Sequence, residues 1–452
     1  MALKQMDALA ALREAAGEVI ETSLCDVQGN WLALVNAEEG KRLAFAAKGE
    51  AALSALWKDV EKEADVKDVH VSVMALNANN AALVRRYVKW TAPTACGTKG
   101  ASIGFSDWLG EADAVVAELF GKRQLKPVLV DFTTGDSEAL QRYFVQAVDT
   151  ATWGVLEEGY KEGYGANAAG LKTEEEIVKA LLYGYSMIGF DCSDKIDLGI
   201  EKLSDEAVDK RFEQFNETFR AALHASYLNA EFKVGTSKIT FTENQLHRIV
   251  LEYGEAIMHI QFIYNSYLKN TPWDIDFELD LSKPGKVLTP QEHYLIGNEL
   301  QRNGIKLSSI CLDPLKDSEA VNDNLQLHCE IADTFGYRLS FKNADIAMND
   351  TAAAMKYLKG KVHFKMNNIL WMSAIELVKA LDADLFGKLC AACGCEATAD
   401  AADRALVLGY RKALNPKEES NVAADMKAFL EAHHAEYAAA IKENVAAKLK
   451  NI

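Results

Sequence analysis

Charged side chains at the ends of short apolar runs are the residues of this chain best placed to do chemistry. Asp191 closes the run Ser186-Met-Ile-Gly-Phe-Asp191, and Glu278 lies in Phe277-Glu-Leu-Asp280. Lys342 ends Tyr337-Arg-Leu-Ser-Phe-Lys342, and Lys365 lies in Val362-His-Phe-Lys365. Asp107 and Asp345 are further acids of this kind. A carboxylate at a strand end can act as a base or bind a cation. A lysine there can hold a carboxylate or phosphate as a point charge. Each has a plainer reading too: Asp191 and Glu278 as ordinary polar groups at a rim, and Lys365 as the structural partner of Glu278.

The histidines carry less. His328 in Leu325-Gln-Leu-His and His259 in Ala256-Ile-Met-His fit helix faces, where a satisfied structural histidine is the first expectation. His433 and His434 fall on a C-terminal helical pattern and are read as solvated. His363 falls within a strand and is read as facing away from Lys365. No phosphate-binding glycine loop, Ser-His-Asp ordering or zinc-hydrolase helix is present.

The elements that must position these groups alternate. Residues 101–105, 127–132, 186–191, 275–281, 305–312, 337–342, 362–366 and 405–409 read as buried strands, each followed by helix-like sequence. That rhythm predicts a parallel sheet with helices outside, and eight units predict a (β/α)8 TIM-barrel-like fold. Residues 163–173 read as a loop leading into a helix, with Thr173 and Glu176 spaced as a capping box. Residues 1–95 read as an N-terminal α/β extension, with a hairpin turning at Gln28-Gly-Asn30 and a strand over 69–76. Residues 96–452 read as the barrel domain, with a helical insertion at about 200–270 (helices over 204–230 and 242–268) and one C-terminal helix at about 423–451.

Composition narrows the function classes. The chain has 452 residues, 49% hydrophobic and 25% charged, with only 7 prolines and 28 glycines, which fits a globular α/β protein. The net charge of −17 lacks the basic footprint of general nucleic-acid or anionic-membrane binding. The N-terminus reads as a charged amphipathic helix without a signal peptide, and no run is long enough to cross a membrane. Eight scattered cysteines fit reduced thiols in the cytoplasm. Cys390, Cys393 and Cys395 cluster, but without a second Cys/His pair at zinc spacing they read as small residues at a helix end. The oligomeric state stays open, a homo-oligomer included.

Several segments, in order from about residue 95 onward, resemble the tagaturonate epimerase family. They include Ser102-Ile-Gly-Phe-Ser-Asp-Trp-Leu-Gly110, Asp149-Thr-Ala-Thr-Trp-Gly154, residues 163–173, Gly189-Phe-Asp-Cys-Ser-Asp194, Phe277-Glu-Leu-Asp280, Thr289-Pro-Gln-Glu-His293 and Val362-His-Phe-Lys365. The resemblance implies a TIM-barrel-like fold, a divalent metal and interconversion of the ketohexuronates tagaturonate and fructuronate. It matches polar positions at Asp107, Lys172, Asp191, Glu278, His259, His328 and Lys365, with His293 in a Pro-x-x-His position. On this basis Asp191 and Glu278 are the expected catalytic groups and metal ligands. Asp107, Lys172, Lys342 and Lys365 are the expected contacts to a sugar acid.

Other positions depart from the family pattern. Asn167, Ala169 and Gly170 stand where the family has two acids and a histidine. Lys342 stands for a histidine, Trp108 for an arginine, and Ser282-Lys-Pro284 for Asp-Glu-Thr. Inverting a carbon β to a ketone calls for retro-aldol cleavage and re-addition, or for transient oxidation. The retro-aldol route needs a proton acceptor and an electrophile for the enolate. Three readings follow: a metal-assisted hexuronate epimerase, an enzyme in which a lysine took over the metal's role, and an altered family member that binds a sugar acid or a protein partner without turnover.

Overall fold

The structure is a computed structural model describing residues 3–38, 40–49, 54–121, 123, 125–281, 288–315, 318–348 and 351–452. The chain divides into two compact units. One comprises Met1–Thr94, Ser106–Ala166 and Ile369–Ala446; the other comprises Ala95–Phe105, Asn167–Asn368 and Ala447–Ile452.

The first unit opens with a helix, Gln5–Ala16, whose Ala8, Ala11, Leu12 and Ala15 recur at helical spacing and are buried. A five-stranded antiparallel sheet follows: β1 (Glu18–Val27), β2 (Asn30–Ala37), β3 (Gly40–Lys48), β4 (Val60–Val66) and β5 (Val69–Met74), in the order β1-β2-β3-β5-β4. The expected hairpin is present, turning at Gln28 and Gly29, both at positive φ, a turn whose twist suits the flanking strands. Strand alternation gives the sheet two apolar faces. Ala33, Val35, Ala44, Ala46, Val71 and Val73 pack with the first helix, while Leu32, Leu34, Leu43, Phe45 and Met74 pack with Val84 and Leu156.

Eight parallel strands form a closed barrel. In chain order they are β6 (Ser102–Phe105), β7 (Lys126–Thr133), β8 (Gly165–Leu171), β9 (Met187–Asp191) and, after an insertion whose small hairpin supplies β10 (Phe232–Val234) and β11 (Ser237–Ile239), β12 (Asp276–Asp280), β13 (Ser309–Leu312), β14 (Arg338–Phe341) and β15 (Val362–Met366). The barrel closes in the order β12-β13-β14-β15-β6-β7-β8-β9. This is the expected (β/α)8 architecture with one strand reassigned. Residues 405–409 form a helix, Arg404–Leu408, capped by the Asp403 side chain. A short apolar run does not distinguish buried helix from buried strand. The eighth strand is instead β8, whose sequence Gly-Ala-Asn-Ala-Ala-Gly-Leu has low strand propensity and reads as a loop. Its small residues suit a crowded place: a Cβ on Gly189 would sit 3.0 Å from the Ala169 Cα. Gly170, at φ +72°, lies where the β8–β9 register shifts, as in a bulge. The run 305–312 contributes only its last four residues as strand.

The insertion of the second unit holds three helices rather than two: Asp205–Phe212, Glu217–Tyr227 and Glu243–Ile263. Asn216 interrupts the first stretch by capping the Thr218 N–H. Thr242 and Gln245 form a capping box for the third helix, as Thr173 and Glu176 do for Glu174–Leu182. The C-terminal stretch also breaks, at His433 between Ala423–Ala432 and His434–Lys448. His433 is half-buried, its ring 4.6 Å from that of Phe429. The cysteine cluster lies at the end of helix Ala383–Cys393, which Gly394 closes at φ +79°, and its thiols are free.

Candidate active site in the barrel

Hydrogen bonds between non-neighbouring strands identify the side chains that fill the barrel interior. Lys365 on β15 donates from Nζ to Glu278 Oε1 on β12 at 2.5 Å, with two strands between them. Glu278 Oε2 accepts from Ser309 Oγ at 2.9 Å. Both side chains of the pair are 2% exposed, so Glu278 is engaged on both oxygens and shut from solvent. Lys342, one residue past β14, bonds Asp280, the last residue of β12. Burial opposes the Lys342 charge, but Asp280 offsets it and raises the pKa above lysine's ordinary value, so this side chain is a fixed ammonium. Cys311 lies in the same interior, its thiol pushed up by burial and then by Glu278.

Asp191 ends β9 in register with Asp280 of β12. Its Oδ1 accepts the Ser193 N–H at 2.9 Å, and its Oδ2 lies 3.7 Å from Lys172 Nζ. Lys172 itself donates to both oxygens of Asp194, at 2.9 and 3.0 Å, and this contact raises its pKa. The parallel register thus places Asp191, Lys172 and Lys342 at one end of the barrel, with the Glu278–Lys365 pair deeper. A cavity of about 410 Å³ opens on this side, between the long insertion helix and the helix Pro290–Arg302, lined among others by Glu201, Arg248, Glu252, Thr289 and Glu292. A larger one, about 630 Å³, lies at the opposite end, around Cys96, Gly97, Asp276 and Tyr337, away from the expected chemistry.

Asp107 belongs to the first unit, where its oxygens accept the N–H groups of Gly110 and Ala112 at 2.8 and 2.7 Å and so build its own loop. Trp108 beside it stacks on Tyr410 at 3.3 Å. Asp345 accepts from the Asn368 backbone and side chain and is buried. Lys283 lies outside the described residues.

The sequence reading missed a group in the barrel interior. Arg338, at the start of β14, donates from Nη1 to Ser102 Oγ at 2.7 Å, and Ser102 Oγ lies 2.9 Å from His363 Nδ1. Arg338 is 1% exposed, yet its Nε and Nη2, the edge that grips a carboxylate, have no hydrogen-bond partner; nor do Ser340 Oγ and His363 Nε2. His363 therefore shares the interior with Lys365, against the expectation that the two diverge; residues two apart on a strand share a face. Its pKa is held well below the ordinary value by burial, then by Lys365 and Arg338. An inward Arg and His at alternating positions of apolar strands were the available signal. They open their strands at the end opposite to that where (β/α)8 enzymes carry chemistry, so we assign them to the barrel floor.

His293 and His328 also meet, Nδ1 to Nδ1 at 2.9 Å, with Tyr337 Oη 2.8 Å from His293 Nε2. Both sit on helices and are buried; burial lowers the His293 pKa well below its ordinary value and that of His328 to about 4. His259 is half-buried on the long insertion helix, its ring 5.4 Å from that of Phe190.

The strand ends do not fit a divalent metal. Such a site needs about three N or O donors around one point. Here Glu278, Asp280 and Asp191 each face an ammonium, and a cation among the donors opposes a second one. Among the described residues, the grouping whose donor atoms do converge is His224, Glu243 and His247, in the insertion.

Comparison with known proteins agrees with the barrel. Residues 20–437 match the family described as UxaE, tagaturonate epimerase. The chain belongs to that family. A tagaturonate/fructuronate epimerase of Thermotoga maritima is 27% identical over 383 residues, covering 82% of this chain and 78% of that protein. The crystal structure of a fructuronate-tagaturonate epimerase from Cohnella laeviribosi, complexed with one glycerol, superposes with a TM-score of 0.85 at 25% identity, over 97% of this chain and 98% of the other. Its native structure gives 0.84 at 26% identity, with the same coverage. The tagaturonate epimerase family is thus one of hexuronate-type carbohydrate epimerases, and this chain carries its fold from end to end. Among the described residues no helix is long and apolar enough to cross a membrane.

Proposed function

We propose that this protein is a hexuronate-type epimerase in which a lysine ammonium, not a strand-end metal, stabilises the enolate. The observation that carries the reading is the placement of Lys342, Asp280 and Asp191 side by side at the strand ends of a chain matched to the family over residues 20–437. The substrate is a keto-sugar acid. Asp191, which is 20% exposed, takes the proton of the hydroxyl on the carbon to be inverted. The bond from that carbon to the carbon beside the ketone breaks, leaving an aldehyde and an enolate. The enolate oxygen gathers charge beside the Lys342 ammonium. The aldehyde presents its other face, the bond re-forms, and Asp191 returns the proton. Lys172, 41% exposed, offers a cation to the substrate carboxylate. Glu278, closed by Lys365 and Ser309, holds the barrel interior beneath them. The free thiols support a cytoplasmic setting.

The test is NMR of tagaturonate and of fructuronate incubated with the protein, with and without EDTA. The expected outcome is interconversion indifferent to the chelator and lowered about 100-fold in Lys342→Met, the scale of one lost transition-state donor. Turnover that requires a metal and ignores Lys342→Met would overturn it. The sealing of Glu278 favours a second reading, a barrel that binds a sugar acid without turnover. Saturable binding with no interconversion would establish that instead.

A further inference from the structure

We infer that the helical insertion carries a divalent transition-metal site of the zinc class, formed by His224, His247 and Glu243. His224 lies on the helix Glu217–Tyr227. Glu243 and His247 lie four residues apart on the helix Glu243–Ile263 and so share a face. The two Nε2 atoms are 2.8 Å apart, Glu243 Oε1 lies 4.0 Å from His224 Nε2, and all three donor atoms fall within 4.8 Å of one another.

The surroundings prepare these donors. His247 Nδ1 lies 2.7 Å from Asp209 Oδ1 on the helix Asp205–Phe212. A carboxylate only accepts, so Nδ1 carries the proton and the Nε2 lone pair points at His224. This carboxylate–histidine arrangement is the one that orients and strengthens metal-ligating imidazoles. Asn244 Nδ2 holds the same Asp209 oxygen at 3.3 Å. The Phe212 ring stacks on His247 at 3.8 Å and 15°, and on His224 at 5.6 Å and 8°, fixing both rings from one side. No described lysine or arginine forms an ion pair with Glu243 or His247, in contrast to the strand ends.

As it stands, the short Nε2–Nε2 contact needs a proton, donated by His224. A metal ion would replace that proton. Two bonds of about 2.05 Å at a tetrahedral angle put the nitrogens about 3.3 Å apart, a small opening from the observed distance. Glu243, 64% exposed on its side chain, is able to swing in as the third ligand, leaving the fourth position to water. Two imidazoles and one carboxylate select zinc, cobalt, nickel or copper over magnesium or calcium. The ion would clip together two helices separated by residues 228–242, with Asp209 tying a third to them through His247.

The test uses the full-length chain, stripped with a chelator and titrated with cobalt(II), then zinc(II), with circular dichroism to verify folding of each variant. The expected result is one cobalt per chain, with the visible bands of a four-coordinate site that zinc displaces. Those bands vanish in His224→Ala/His247→Ala and persist in His328→Gln. Asp209→Asn, which removes no ligand, weakens binding about 10- to 100-fold. Cobalt binding unchanged in the double variant, or none at neutral pH in the unaltered chain, would sink the site. Because the readout is the bound ion, this outcome is independent of sugar-acid turnover.

Discussion

At the strand ends of the barrel, the two acids that sequence marks as metal ligands each face a lysine, Glu278 facing Lys365 and Asp191 facing Lys172, and Asp280 beside them faces Lys342. In the insertion, two histidines and a glutamate converge with no described lysine or arginine paired to the glutamate, and a carboxylate stands behind one imidazole. One region is charge-balanced as it stands; the other has donors whose natural complement is a cation. The sign of the neighbouring charge decides where a cation is stable.

Breaking the buried pair tests the barrel half of this comparison most severely. Lys365→Met leaves Glu278 buried without its cation and is expected to lower stability by about 3–5 kcal/mol in urea unfolding. Lys365→Met/Glu278→Leu should restore most of it. A single-variant loss below about 1 kcal/mol would show that the pair is not sealed as described.

The next largest effect separates the two histidine pairs. Among the described residues no carboxylate is paired with His293 or His328, and burial holds both neutral. Their pKa values are lower folded than unfolded, so the unfolded chain takes up more protons as pH falls. Stability should drop between about pH 6.5 and 4, by on the order of 3 kcal/mol for His328. Melting temperatures across that window should decline less in His328→Leu than in the unaltered chain. Parallel declines would detach the effect from this residue.

Zinc should stabilise the insertion half by about 2.7 kcal/mol at a hundredfold excess over its dissociation constant, seen as a rise in melting temperature. His224→Ala/His247→Ala should abolish the rise. A rise that survives would point to another site. The smallest change is expected from Lys172→Met: its ion pairs are partly exposed, so stability should move by less than about 1 kcal/mol, while KM for a sugar acid rises. A large stability loss there would make Lys172 structural.

Much of the fold was legible because local chemistry and tertiary demand agree. Seven of the eight barrel strands are buried apolar runs at or close to their expected places, the hairpin turns at Gln28-Gly29, and the Thr173–Glu176 capping box forms as spaced. Where they disagree, the reading failed. β8 is built from glycine, alanine and asparagine because its neighbours leave no room for larger groups, and nothing local reports that crowding. Val407, by contrast, sits in an apolar run that fits a buried helix as well as a strand.

The sequence by itself determined the family, the alternating architecture and the identity of the acids and lysines at the strand ends, since these depend on residue order and short-range periodicity. Only the tertiary structure decided which charges meet. Lys365 and Glu278 are 87 residues apart, and Lys342 and Asp280 62 apart. His224 and His247 meet across a hairpin that intervenes between their helices. Pairing between side chains depends on barrel register and helix packing, which bring distant residues within a few ångströms and are written in no single segment.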